Sequence, residues 1–517
     1  MNRSLTYCRK FAILCHRWMG VAFCLLFGWW FVSGIFMMYW DFPSVNPEDR
    51  LQAARPLNPT QIKLSPDEAF AALRQDRPAA SAQLSMFDGR PVYRFSIGGG
   101  PGGRAAGARA QSLVYADDGS LPGECTDVQA LRIAASWSRQ VSGPSHVEEL
   151  TDVDQWTIQG QFRRLWPLIK FSWPNGEQTY VSLSNCEVVQ HTTRRSRIFA
   201  HLGAIPHWLY YTPLRKNGPL WSKIVIWSSG AATAAALLGL LVGISMYSPF
   251  QRYRYFGQPT GIPYRGQKRL HMIFGLFFGI VACTWAFSGM LSMDPFPATT
   301  GGGGISGARI ATALRGGRFQ LKAFAKKHPR NALSQVAATL SVKQLDFVVF
   351  VDEPVYLATQ DAHHTRIIPM DSEPIEEFDW NRMMEVLDSA SGQFGLSELR
   401  VITEYDAYYL DRLKERPLPV ILARFNDPDR TRFYVDPRTA RIVGSYSSRS
   451  WMNRWLYHGL HSLNFPWLYE HRPAWDIVVI SLLVGGTALS ATSVILAWRV
   501  VRRKRVRGAD EDSLAEV

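Results

Sequence analysis

Two histidines stand at matching places in two apolar stretches of the chain, and their surroundings suit the binding of a planar metal group. His16 opens the first stretch and His271 opens the third, and a glycine follows each at +4, as Gly20 and Gly275. A tryptophan follows both histidines at +14 and a further glycine at +18. A helix advances about 100° per residue, so these positions share the histidine's face. Each stretch therefore presents an imidazole beside a glycine, which leaves room for a flat, bulky group.

An imidazole nitrogen is an axial ligand of haem iron, which suggests what that flat group is. Two such helices that face each other across a twofold axis would ligate one iron from both sides. We therefore predict that His16 and His271 hold a haem b at one end of the apolar stretches. The alternative is that each histidine is an interfacial residue and that each glycine only packs helices together.

A second histidine pair has the same kind of symmetry. His207 and His461 each precede a proline by 12 residues and a tryptophan by 14 residues. They are predicted to ligate a second haem b, so the chain would hold one or two haems. His201 and His458 lie nearby but do not align, and whether either is a ligand stays open. The alternative interpretation is that these histidines belong to an interfacial aromatic belt.

Four apolar stretches are long enough to cross a bilayer, which takes about 20 residues. Tryptophan and tyrosine lie at many of their ends, as is typical of anchors at the headgroup level. The predicted organisation is a cytoplasmic N-terminus with the first span (1–40), a large segment (41–220), a second span (221–247), a cytoplasmic loop (248–269), a third span (270–293), a second large segment (294–474), a fourth span (475–498) and a cytoplasmic tail (499–517).

The positive charge of the chain indicates which side each segment occupies. The 517 residues carry 57 Lys and Arg against 43 Asp and Glu, a formal net charge of +14. The three short segments that flank the spans hold 15 of the basic residues, and their only acids lie beyond residue 509. Basic residues concentrate on the cytoplasmic side of membrane proteins. Both termini are therefore predicted to be cytoplasmic, and the excess charge indicates topology and membrane lipid rather than nucleic acid.

The large segments have the patterns of small α+β domains. Alternating apolar runs such as 91–97 and 432–437 predict strands, and helix starts occur at Ser65 and Trp380. Equivalent positions recur at an offset of 252 to 255 residues, which predicts two parallel repeats about an axis along the membrane normal. The predicted fold is an integral membrane, all-α four-helix transmembrane core with two periplasmic α+β domains. Cys125 and Cys186 share the first large segment, as a disulfide or as two unpaired thiols.

Several of these motifs resemble those of the PepSY-associated transmembrane family of bacterial inner-membrane proteins. The matching pieces are Cys15–Gly20 with Ser33–Gly34, Leu64–Ala69, Pro91–Arg94, Leu418–Val420, Tyr434–Pro437, Arg454–Asn464 and Arg472–Asp476. Asn464 stands where the family motif commonly has aspartate, and the first large segment is only a loose copy of the second. The resemblance implies PepSY-like periplasmic domains above a haem-binding four-helix core, in the bacterial inner membrane. The family includes haem-containing ferric-siderophore reductases.

The expected function is therefore that of a b-type haem oxidoreductase in iron uptake. Electrons would cross from the cytoplasmic side and reduce a ferric siderophore or another periplasmic iron chelate. The alternatives are a cofactor-free PepSY membrane protein that binds peptides or regulates a peptidase, and a parallel-repeat transporter. No span carries the ionisable residue at mid-membrane that transport coupling usually leaves. The electron donor, the identity of the chelate and the oligomeric state stay open.

Overall fold

The protein is described here from a computed structural model, which covers residues 3–97, 111–140, 142–295 and 303–515. In chain order its α-helices are α1 (Arg3–Met37), α2 (Pro47–Ala53), α3 (Pro66–Ala71), α4 (Asp127–Trp137), α5 (Arg194–Leu202), α6 (Ala204–Trp208), α7 (Thr212–Arg215), α8 (Gly218–Met246), α9 (Gly266–Leu291), α10 (Gly307–Arg315), α11 (Pro329–Val336), α12 (Trp380–Ser391), α13 (Leu460–Ser462), α14 (Pro466–Tyr469) and α15 (Ala474–Ala515). A π-helix, Met452–Gly459, leads into α13.

The four helices α1, α8, α9 and α15 are long and apolar enough to cross a membrane, over Tyr7–Met37, Gly218–Met246, Gly266–Leu291 and Ala474–Arg502. The four predicted spans are thus confirmed as helices, with ends that differ by a few residues. The first helix ends at Met37 rather than at residue 40. The last one continues as far as Ala515 and so includes most of the predicted tail.

The four long helices form a bundle in which α1 and α9 lie on a diagonal. Each of these two packs against both α8 and α15, while their contact with each other is slight by comparison. Glycines allow the close approach, since the rings of Phe278 and Phe31 pack directly against Gly485 and Gly486 of α15. Side chains that α1 and α9 point inward therefore meet along the middle of the bundle.

The segments between the long helices contain antiparallel sheets. The strands are β1 (Ala79–Phe87), β2 (Arg90–Ile97), β3 (Gln111–Tyr115), β4 (His146–Leu150), β5 (Leu168–Ser172), β6 (Gln178–Ser182), β7 (Glu187–Thr192), β8 (Tyr253–Tyr255), β9 (Gln258–Thr260), β10 (Gln344–Phe350), β11 (Glu353–Thr359), β12 (Thr365–Pro369), β13 (Leu396–Ile402), β14 (Val420–Phe425), β15 (Arg432–Asp436) and β16 (Arg441–Tyr446). Strands β8 and β9 form a hairpin in the short connection between α8 and α9.

One six-stranded sheet contains strands of both large segments, in the order β12-β11-β10-β1-β2-β3. The joint is the antiparallel pair of β1 and β10, where Leu84 lies opposite Leu345 and both side chains are fully buried. The sequence predicts two domains, 41–220 and 294–474, but here the two segments share a sheet and a hydrophobic core. Pairing β1 with β10 removes two strand edges that separate domains would leave exposed.

Each large segment also has a four-stranded meander of its own, β4-β5-β6-β7 in the first and β13-β14-β15-β16 in the second. In both meanders a buried tyrosine hydroxyl donates to the aspartate of a preceding turn, Tyr180 to Asp154 at 2.7 Å and Tyr434 to Asp406 at 2.8 Å. These aspartates also accept backbone N–H bonds within their turns, so their role is to hold the turn. Cys125 and Cys186 form a disulfide that ties the start of α4 to the turn before β7.

Candidate functional site

The structure brings His16 and His271 together across the middle of the bundle. His16 lies on α1 and His271 on α9, the two helices on the diagonal, and their ring centroids are 6.2 Å apart with an interplanar angle of 29°. Both residues lie near the end of the bundle that carries the basic connections. We call them the basic-end pair.

His207 and His461 meet in the same way at the opposite end of the bundle. They lie on the short helices α6 and α13, each separated from the long helix that follows by one more short helix, and their ring centroids are 5.9 Å apart at 77°. We call them the domain-end pair, since the large segments lie at this end. Ser33, which contacts His207, stands 17 positions after His16 on α1. At 1.5 Å per helical residue the two pairs are about 25 Å apart along the bundle.

The hydrogen bonds of the basic-end pair determine which ring nitrogen carries the proton. Nδ1 of His16 lies 3.0 Å from the carbonyl oxygen of Ala235, which can only accept, so Nδ1 donates. Nδ1 of His271 lies 3.1 Å from Oγ1 of Thr492 and 3.4 Å from Oγ of Ser493. The Thr492 hydroxyl donates its own proton to the Leu489 carbonyl at 2.7 Å, so it accepts from His271. In both rings the Nε2 lone pair is left for a ligand.

The domain-end pair has the same arrangement. Nδ1 of His207 lies 3.0 Å from Oγ of Ser33, and Nδ1 of His461 lies 3.0 Å from Oγ of Ser288. Each serine donates its hydroxyl proton to a backbone carbonyl of its own helix, that of Trp30 or Trp285, at 3.2 Å. Both serines therefore accept from Nδ1–H, and the Nε2 lone pairs again remain. Metal-binding histidines characteristically donate their second N–H to such an acceptor, which fixes tautomer and ring orientation.

The two domain-end histidines lie outside the long helices and are held neutral. Burial lowers the pKa of His207 to about 3, and the neighbouring His461 adds to the effect. Burial likewise lowers the pKa of His461 to about 4, against the opposing effect of the Trp285 carbonyl. Neutral imidazole is the form that binds a metal, so neither ring has to lose a proton at neutral pH in order to ligate.

The separation within each pair fits one metal ion between two imidazoles. Two metal–nitrogen bonds of about 2 Å, with about 1 Å from each nitrogen to its ring centre, place the ring centroids about 6 Å apart. The observed separations are 6.2 Å and 5.9 Å. Among the described residues no three His, Cys, Asp or Glu side chains form a metal-holding group. Each pair thus offers two nitrogen ligands, and any further ligands of a metal held there would have to come from other groups.

Glycines flank both pairs, as the sequence suggests for the first of them. A Cβ on Gly20 would meet nothing within 4 Å, and one on Gly275 only Leu489 at 3.9 Å, so there is space beside both. Gly34 and Gly289 face the domain-end pair, with Cε1 of His207 and His461 at 3.9 and 3.6 Å from a Cβ position. These two glycines recur at matching places on α1 and α9.

Gly239 on α8 is a site residue that sequence reasoning missed. A Cβ there would approach Nδ1 and Nε2 of His16 to 2.9 and 3.1 Å, so only glycine lets this ring lie against the helix. The same ring donates to Ala235, one turn earlier on α8. No spacing relates Gly239 to His16 in the sequence, and the only signal was its place in an apolar stretch rich in small residues.

The remaining candidate histidines do not join either pair. The ring of His201 packs edge-on against Trp156 in the first large segment, with centroids 5.5 Å apart. The ring of His458 packs against Tyr457 at 4.8 Å, and Tyr457 in turn lies 5.3 Å from His461. His458 is thus a neighbour of the domain-end pair through an intervening tyrosine.

Aromatic rings occupy the bundle between the two pairs. Phe27 and Phe31 of α1 are 6.4 Å apart, and Phe31 lies 5.9 Å from Trp285 of α9. Trp285 lies 6.5 Å from His461. These rings form part of a buried cluster with aliphatic side chains of α15, so the space between the pairs is filled by apolar groups.

Comparison of the sequence with protein-family models and with curated proteins gives no match.

Proposed function

We propose that this chain is a b-type haem oxidoreductase of the bacterial inner membrane, which passes electrons across the membrane and reduces a periplasmic ferric chelate. His16 and His271 would hold one haem, and His207 and His461 the other. Haem iron, when bound, supplies reversible one-electron chemistry. The observation that carries the proposal is the arrangement of four imidazoles in two pairs, each ring with Nδ1 held as a donor and about 6 Å from its partner.

Charge supports the direction of transfer. The predicted cytoplasmic segments carry 15 of the basic residues, and they connect the helix ends nearest the basic-end pair. By the positive-inside rule that end faces the cytoplasm, so electrons would enter near His16 and His271. The disulfide between Cys125 and Cys186 is consistent with an oxidising compartment around the large segments.

Matching contacts in the two halves support a parallel repeat. Ser33 with His207 and Ser288 with His461 are the same contact at offsets of 255 and 254 residues. The indole N–H of Trp221 donates to the Trp208 carbonyl of α6, and that of Trp475 donates to the Ser462 carbonyl of α13. With both halves in one membrane orientation, the pseudo-twofold axis would run along the membrane normal, between the rings of each pair.

The chain's own residues account for cofactor binding and for the exclusion of water. Donation from Nδ1 to a fixed acceptor makes Nε2 a better ligand and keeps each ring from rotating. The aromatic cluster around Phe31 and Trp285 fills the bundle between the two pairs and keeps solvent out of it. The large segments, which share one sheet, would present the chelate at the domain end. Reduction from Fe(III) to Fe(II) weakens the metal's demand for hard oxygen ligands, and so loosens the chelate.

The proposed acceptor can be tested directly. The purified protein is reduced with dithionite, freed of excess reductant without air, and mixed with ferric citrate or a ferric hydroxamate. We expect the haem absorbance to return to the oxidised form and Fe(II) to appear in a ferrozine trap. In a matched His461→Ala variant the ferric chelate should oxidise the remaining haem much more slowly. Haem that ferricyanide oxidises but no ferric chelate does would contradict the reductase function and leave electron transfer to another acceptor.

A further inference from the structure

Arg454 is a buried guanidinium close to the domain-end pair in the chain. Its exposure is 2%, and it lies in the π-helix Met452–Gly459, a rare conformation that often marks functional sites. Its Nε donates to the Ala407 carbonyl, and its two Nη atoms donate to Oδ1 and the carbonyl of Asn464 at 2.8 and 3.1 Å. Its guanidinium also stacks over the ring of Trp455 at 4.4 Å.

All of these partners are neutral, and among the described residues no carboxylate lies within ion-pair distance of Arg454. None of the ion pairs of the described residues includes Arg454. The charge of Asp406 acts on it, but the Asp406 carboxylate already accepts hydrogen bonds from the Tyr434 hydroxyl and from backbone N–H groups. A buried charge is costly unless an opposite charge offsets it. A guanidinium has five N–H donors, and Arg454 uses three of them, so it can still bind an oxyanion.

The position of Arg454 ties it to His461. Arg454 stands seven residues before His461 and bonds to Asn464, three residues after it, so it closes the loop that carries this histidine. The residue seven before His207 is Ala200, which is fully buried and uncharged. The pseudo-twofold relation of the two halves is therefore broken at this point. A haem breaks it too, because both of its propionates lie on one edge.

We propose that Arg454 binds an oxyanion at the domain-end site, namely a propionate carboxylate of the haem between His207 and His461. The inference rests on the proposed function and adds which way that haem faces. Arginine binds carboxylates through paired, charge-assisted hydrogen bonds. The propionate edge would point to the side of Arg454, and the opposite edge to the side of Ala200. An oxyanion of the ferric chelate is the other source of the same chemistry.

The test is a redox titration of both haems in the full-length protein, without chelate, in wild type, Arg454→Gln and Arg454→Lys. Loss of a positive charge beside the propionate disfavours the reduced state. We expect Arg454→Gln to lower the midpoint potential of the domain-end haem and to leave the other unchanged, and Arg454→Lys to restore most of the difference. A His207→Ala variant is expected to retain only the basic-end haem. Its titration therefore shows which of the two midpoint potentials belongs to which haem.

If Arg454→Gln does not fold, Asn464→Asp provides a second test of the same inference. The new carboxylate would lie where the amide oxygen of Asn464 now accepts from Arg454, and it would compete with the propionate for the guanidinium. The midpoint potential of the domain-end haem should therefore fall in this variant too. Unchanged potentials with weaker binding of ferric citrate in both variants would assign the oxyanion to the chelate instead. Unchanged potentials and unchanged chelate binding would overturn the inference. A wild-type protein without haem would overturn the proposed function itself.

Discussion

The hydroxyl oxygen of Ser33 lies 3.0 Å from Nδ1 of His207 and accepts its proton, because the serine's own proton goes to the Trp30 carbonyl. One hydroxyl thus sets the tautomer of a ring that is 174 residues away in the chain. The same contact recurs between Ser288 and His461. In the basic-end pair a carbonyl and a threonine take this role, so both pairs depend on acceptors supplied by a neighbouring helix.

Removing one acceptor should affect one haem only. Ser33→Ala takes away the acceptor of His207. Thr492→Val, which keeps the shape of threonine and is made together with Ser493→Ala, takes away both hydroxyl acceptors of His271, which lie at 3.1 and 3.4 Å. Loss of such a partner typically costs about 10- to 100-fold in metal affinity, and it makes the imidazole less basic. We expect weaker haem retention and a raised midpoint potential, at the domain end for Ser33→Ala and at the basic end for the Thr492→Val, Ser493→Ala double variant. Titration of haem release to apomyoglobin measures retention, and equal effects at both ends would contradict this assignment.

A methyl group at Gly239 should displace His16. The Cβ of alanine would come within 2.9 Å of Nδ1 of the His16 ring, which already lies against α8. Gly239→Ala should therefore remove the basic-end haem while the domain-end haem stays, as measured by the pyridine haemochrome content per chain. Gly230→Ala on the same helix is the matched control, because its Cβ would meet only the flexible Met290 side chain at 3.4 Å. Full haem content in Gly239→Ala would exclude the packing of His16 described here.

The disulfide can be counted chemically. The denatured, unreduced protein should react with a maleimide-polyethylene glycol at up to four thiols, those of Cys8, Cys15, Cys24 and Cys283. Prior reduction should add two more adducts, from Cys125 and Cys186. Six adducts without reductant would contradict the bond. The Cys125→Ser, Cys186→Ser double variant should give four adducts in either case and lose about 2–5 kcal/mol of stability in chemical unfolding.

Much of the four-helix core could be predicted from local patterns. Hydropathy is a property of consecutive residues, so it locates the four long helices to within a few residues. The recurring motifs predict that His16 meets His271 and that His207 meets His461, because equivalent positions of two parallel repeats would lie near a common axis, and the rings of each pair do meet. The pairing needs no knowledge of the neighbouring helices.

Partners that come from distant parts of the chain could not be predicted. The joint between Leu84 and Leu345 depends on which strand edges meet, and alternating patterns do not contain that information. Ser33 and Ser288 recur at +17 from the basic-end histidines, which is about 100° away from the histidine face of an α-helix. The two serines therefore do not face the basic-end pair. Only the fold shows that they contact the domain-end histidines instead.

The measurement closest to the central claim is the haem content and low-temperature redox spectrum of four single variants, His16→Ala, His271→Ala, His207→Ala and His461→Ala, beside the wild type. His146→Ala, on an exposed strand, is the control. We predict two haems b per wild-type chain and per control. We predict that His16→Ala and His271→Ala lose the same haem, and that His207→Ala and His461→Ala lose the other. A wild-type protein that takes up no haem when it is supplied, or paired variants that lose different haems, would contradict the account.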